Sequence, residues 1–132
     1  MKISKWIIAA LAAVVMFTSC SKDNDDKDPV TIDGVWKGTY HDDATGETLF
    51  FSLRIEADTD LFEVNENGQD IGFGGWQIDN TTNVFMAEYA WNSNGQHFSL
   101  IAAFDAADGK LIGNWGYDAS NTDGGTFELE KQ

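Results

Sequence analysis

The 132-residue chain has one cysteine and one proline, and both lie in its first 29 positions. A single thiol excludes an internal disulfide framework and a cysteine-built metal site. With proline confined to position 29, nothing downstream forces a break in a strand ladder. Basic residues are scarce too: 8 Lys and Arg stand against 22 Asp and Glu, a formal net charge of −14. That balance excludes nucleic acid and anionic lipid head groups as electrostatic partners. Long apolar runs are also missing. The run from Trp6 to Phe17 has 12 residues, short of the roughly 20 that a membrane-spanning helix needs. No segment sustains a helical period.

What is present begins with Lys2 and Lys5, followed by that short apolar run and the small residues Thr18 and Ser19 before Cys20. A basic start, a 12-residue apolar centre and small residues at the end read as a secretory signal over residues 1–19. Phe17-Thr18-Ser19-Cys20 resembles a lipobox, the motif of bacterial lipoproteins. The resemblance implies that Cys20 is acylated and becomes the N-terminus, so the protein is tied to a membrane by lipid. Removal of Lys2 and Lys5 leaves 6 of the 8 basic residues and a net charge of −16. Residues 20–32, with the run Ser21-Lys22-Asp23-Asn24-Asp25-Asp26-Lys27-Asp28, are too polar to bury and read as a flexible tether. An acidic run just after the cysteine is similar to the surface-export signal of Bacteroidota lipoproteins, which implies a lipid anchor on the outer face of the outer membrane. Simple solvation is the alternative reading of the run.

Residues 33–132 suffice for one domain with one core. Aromatic and β-branched residues alternate with polar ones between closely spaced glycines, which predicts eight strands near 33–41, 47–57, 60–66, 70–79, 84–91, 96–105, 110–118 and 124–131. Short connections make sequence neighbours antiparallel neighbours, an up-and-down meander. Closure into an all-β, eight-stranded antiparallel barrel removes exposed edges.

Register follows from the turns. A turn centred between Ala44 and Thr45 pairs Trp36 with Leu53 and Tyr40 with Leu49. One on Asn94-Gly95 pairs Trp91 with Phe98 and Tyr89 with Leu100. One on Ala107-Asp108 pairs Leu100 with Trp115. In the second hairpin, pairing Ile55 with Phe62 and Leu53 with Val64 puts Arg54 across from Glu63 on the outer face. The fourth strand carries conflicting signals: a tight Asn67-Gly68 turn sends Ile71 and Phe73 inward, whereas a turn at Thr81-Thr82 sends Trp76 and Ile78 inward. A β-bulge among Gly72, Gly74 and Gly75 resolves the conflict; the alternative is an exposed Ile71 and Phe73.

Gly34-Val35-Trp36 resembles the Gly-x-Trp signature of the calycin group, the lipocalins and avidin-like barrels. Leu111-Ile112-Gly113-Asn114-Trp115-Gly116, followed by Gly125-Thr126-Phe127-Glu128-Leu129, is similar to the ends of lipocalin-like domains in bacterial lipoproteins. In lipocalins the signature tryptophan plugs one barrel end against a basic residue near the last strand, for which this chain offers Lys131. The resemblance implies a calycin-type, lipocalin-like barrel.

An eight-stranded barrel is either filled by its side chains or holds one small molecule. The inward set includes Trp36, Tyr40, Trp76, Tyr89, Trp91, Trp115 and Tyr117, with a stripe of small residues (Ala87, Ala102, Gly113) that leaves room opposite or accepts an indole. These seven aromatics are the candidate ligand-binding residues, and they suit a flat hydrophobic or aromatic ligand with tyrosine hydroxyls as anchors. The alternative is a solid barrel that binds or inhibits a protein at the cell surface through its acidic loops. Enzymatic chemistry is not expected. His41 lies beside Asp42 and Asp43, His97 faces outward, and Ser52 and Ser99 face outward with no base aligned. No cofactor or metal is expected. The oxygen-rich loop 118–124 lacks the spacing of a calcium loop.

Overall fold

The computed structural model describes residues 28–132. The expected signal segment, Cys20 and most of the tether lie outside the described residues. Eight strands follow one another: β1 (Gly34–Asp42), β2 (Glu47–Ile55), β3 (Asp60–Val64), β4 (Asp70–Asp79), β5 (Val84–Trp91), β6 (His97–Asp105), β7 (Lys110–Tyr117) and β8 (Gly125–Lys131). Each pairs antiparallel with the next, and β1 pairs with β8, so the sheet is a closed up-and-down barrel. The fold class read from the alternation is the observed one.

Four of the seven hairpins share one loop design. Loops 43–46, 80–83, 92–95 and 106–109 each span four residues. Their fourth residue (Gly46, Asn83, Gly95 and Gly109) has a positive φ of 59–77° and donates its N–H to the last strand carbonyl, at 2.7–2.9 Å. Glycine or asparagine is what that left-handed position favours. In three of these loops an aspartate before the loop, Asp42, Asp79 or Asp105, accepts a loop N–H on its side chain.

The expected registers of β1 with β2, β4 with β5, and β6 with β7 are the observed ones. β5 and β6 differ from expectation. Asn94-Gly95 is the second half of a four-residue loop, not a two-residue turn, so Tyr89 faces Phe98 and Ala87 faces Leu100. The two-residue slip preserves the faces and interrupts the small-residue stripe, since Ala102 faces Phe85 on one side and Gly113 on the other.

β3 is rotated relative to expectation. The β2–β3 loop has three residues, 57–59, closed by hydrogen bonds between Glu56 and Asp60 and from Thr59 N–H to the Glu56 carbonyl. Thr59 holds the left-handed position (φ 80°) that glycine usually fills. An odd loop reverses parity: Leu53 faces Glu63 and Ile55 faces Leu61. Leu61 and Glu63 therefore point inward and Phe62 points outward. The expected Arg54–Glu63 pair does not exist. Arg54 instead binds Asp70 in a bidentate pair (2.7 and 3.1 Å) and Glu56 at 3.1 Å, with its guanidinium 4.3 Å from the Phe62 ring centre.

A β-bulge does occur in β4, one residue before the expected glycines: Val64 faces Asp70 and Glu63 faces Gly72, leaving Ile71 as the extra residue. Phe73 is consequently outside and half exposed, packed on Phe62 with ring centres 5.1 Å apart.

The barrel end bearing the loops 56–59, 80–83 and 106–109 is closed. Trp36 is fully buried there, donates its indole N–H to the Ile32 carbonyl at 2.8 Å and packs edge-on to Phe104. Lys131 lies 5.8 Å from its ring centre and donates to the Thr31 and Asp33 carbonyls. Val30 joins the plug by an N–H bond to Ala106.

Two outcomes follow for equilibrium urea unfolding. Trp36→Ala is expected to cost about 3–5 kcal/mol, the range for a large aromatic deleted from a core. Thr59→Gly is expected to stabilise by about 1 kcal/mol, since the strain of a β-branched residue at positive φ exceeds the added backbone entropy of glycine.

Candidate functional site

At the opposite end, bearing the loops 43–46, 65–69, 92–96 and 118–124, the interior is open. A cavity of about 220 Å³ lies among Tyr40, Phe51, Glu63, Tyr89, Trp91, Phe98, Leu100, Trp115 and Tyr117, with Asp42, Asn94 and Gln96 at its edge. The strand ends build it: alternation on β1, β5, β6 and β7 turns every second residue inward, and those positions carry aromatic rings. The rings brace one another edge-on or tilted. Centres are 5.5 Å apart for Tyr40 and Trp115, 4.7 Å for Trp91 and Phe98, and 5.3 Å for Trp115 and Tyr117. Such contacts fix the wall before any ligand arrives.

Five of the seven expected ligand-binding residues therefore meet in one cavity: Tyr40, Tyr89, Trp91, Trp115 and Tyr117. Trp36 and Trp76 do not. Trp36 is the plug at the closed end, and the Trp76 indole donates to the Glu56 carbonyl at 2.8 Å and stacks on Phe85, below the cavity. Nor does the cavity open against the small-residue stripe, because none of Ala87, Ala102 and Gly113 lines it.

Glu63 is the residue that the sequence reading placed on the wrong face. It is 7% exposed, and its Oε1 accepts the Trp91 indole N–H at 2.8 Å. Its partner across the sheet is Gly72, where a Cβ would sit 2.9 Å from the Tyr89 ring; the missing side chain lets Tyr89 lie against β4 beside the carboxylate. Burial raises the pKa of Glu63 above its ordinary value, and the Trp91 and Tyr89 donors counter part of that rise. Burial raises the hydroxyls of Tyr40, Tyr89 and Tyr117 as well, Tyr89 most strongly, with Glu63 adding to the rise at Tyr40 and Tyr89. All three remain neutral donors near neutral pH. The indole N–H groups are already engaged, Trp91 by Glu63 and Trp115 by the His41 carbonyl at 3.0 Å. What the two tryptophans offer to a ligand is apolar ring surface instead of a donor.

Nothing matches this chain among protein-family models, curated proteins or solved structures.

Other polar groups are occupied where they stand. In loop 118–124, Asp123 accepts the Tyr117 N–H at 2.8 Å and Ser120 accepts from Thr122, while Ser99 donates to the Asp118 carbonyl. Among the described residues, Glu56, Asp58 and Asp60 bring carboxylates within 4.8 Å of one another; Glu56 is paired with Arg54, and Asp58 accepts the Asp60 N–H. The cluster lies at the closed end, away from the cavity. His41 shares a hydrogen bond of 3.0 Å with the Thr48 hydroxyl and approaches Asp43 at 3.8 Å, at the edge of the open end.

The raised pKa of Glu63 sets a sign for stability. A carboxyl whose folded pKa exceeds its unfolded one contributes stability below the unfolded value, and that contribution is lost as pH rises through the folded value. Glu63→Gln keeps an acceptor for Trp91 without the charge. It is expected to unfold at higher urea concentration than the parent at about pH 8, with the difference vanishing near pH 4.

Proposed function

We propose that this chain is an exported lipoprotein, anchored to the outer membrane by lipid on Cys20, whose lipocalin-like barrel captures a small, largely apolar aromatic molecule in its open end. The observation that carries the reading is the cavity of about 220 Å³ walled by aromatic side chains from β1, β5, β6 and β7. An apolar cavity of ~150 Å³ accepts benzene, so the space suits one ring with a short substituent. The wall of ring faces favours a flat body, and the three tyrosine hydroxyls supply directional anchors. The plug of Trp36 beneath Lys131 supports the lipocalin-like assignment. The lipobox-like Phe17-Thr18-Ser19-Cys20 and the acidic run after it support export, lipid anchoring and the outer face of the outer membrane. The reading involves no catalytic step.

The test is native mass spectrometry of the protein purified from its own host without organic solvent, beside a Leu100→Trp variant. Leu100 is buried in the cavity wall, so an indole there takes up the space at a cost of about 1–3 kcal/mol in packing. A stoichiometric extra mass is expected on the parent and not on the variant. A bare parent that also takes up no added indole, or an adduct that survives Leu100→Trp, overturns the reading.

A further inference from the structure

Building on the capture reading, we infer that the open end selects aromatic molecules bearing a positively charged amine, with Glu63 as the counter-ion. A buried carboxylate is costly unless it is paired with a positive charge or fully hydrogen-bonded. Among the described residues Glu63 has no positive partner and one recorded hydrogen bond. None of the ion pairs among the described residues includes it, and no lysine, arginine or histidine lines the cavity. The chain nevertheless orients the group: the Trp91 indole N–H donates to Oε1 at 2.8 Å. That donor favours the charged form and offsets part of the rise that burial imposes on the carboxyl. Glu63 lines the cavity, so a cationic ligand there is placed to balance its charge in place of the proton that burial favours.

The walls suit the same chemistry. Trp91, Trp115, Tyr40 and Tyr117 line the space, and aromatic faces attract an ammonium and give nothing to a carboxylate. Asp42, on the lining at the edge, adds a second negative group along the approach. The tyrosine hydroxyls are held neutral by burial and contribute no charge of their own. The size limits the ligand to one ring and a short arm, so that an amine reaching Glu63 leaves the ring among Phe98, Trp115 and Tyr117. An anion of the same shape meets two carboxylates and is rejected. A neutral alcohol keeps the ring contacts and loses the ion pair.

Titration calorimetry of the purified protein at neutral pH with phenethylamine, 2-phenylethanol and phenylacetate separates these cases, since the three share a ring and differ in charge. The amine is expected to bind at least about tenfold tighter than the alcohol, and phenylacetate not measurably. Glu63→Gln is expected to erase the amine preference and leave alcohol binding intact. Glu63→Asp, which keeps the charge, retains part of the preference. Asp108→Asn removes one negative charge from an exposed loop and is expected to change nothing, which separates the site from the general acidity of the surface. Equal binding of amine and alcohol, or a preference that survives Glu63→Gln, overturns the amine assignment and leaves the capture of aromatic molecules standing. If none of the three binds, both fall together.

Discussion

The hydrogen-bonded seam between β1 and β8 is the constraint on which the rest of this molecule depends. It runs from Trp36 opposite Lys131 to Asp42 opposite Gly125, and it turns a meander with two free edges into a sheet with none. Once the sheet is closed, each side chain lies either inside or outside, and the choice is made by parity. Loops with an even number of residues carry the pattern forward unchanged; an odd loop or a bulge inverts it. Loops 57–59, 65–69 and 118–124 have odd lengths, and β4 carries a bulge; the first of these loops and the bulge stand on either side of β3. Between them lies one short strand that presents Leu61 and Glu63 to the interior.

That arithmetic explains what could be read from the residues alone. The strand count, the meander and three registers were legible because loops 43–46, 80–83 and 106–109 are even and centred where hydropathy alternation demands. The β5–β6 register was misplaced by two residues because Asn94-Gly95 is also the signature of a tighter turn, and the error left the faces correct. The β3 error had a larger effect. Thr59 sits at a position that ordinarily announces itself as glycine, and Leu61, Phe62 and Val64 make both faces of the strand look apolar. The physical advantage of the observed face lies across the sheet: Phe62 finds Phe73 and Arg54 outside, and Glu63 finds Trp91 and the space left by Gly72 inside. None of those partners is near in sequence. Five of the seven candidate aromatics were brought together because they share strand ends, whereas Trp36 and Trp76 share only the inward parity and lie at the other end.

The two ends of the barrel divide the work of stability and recognition. At one end, Trp36, Phe104, Val30 and Ile32 exclude solvent, and the chain termini are fastened across them. At the other, rings prop one another open around a carboxyl group that has no positive partner among the described residues. Such a group is an expense to the empty protein, and it is affordable in a barrel whose lower half is fully packed. The indole of Trp91 joins the two roles, since it is both wall and hydrogen-bond donor to the acid.

The fastening of the termini also orients the molecule. Val30 bonds to Ala106, and Lys131 reaches back to Thr31 and Asp33, so the chain enters the barrel at the plugged end. A protein held by anything attached ahead of Asp28 is held from below, like a cup by its stem.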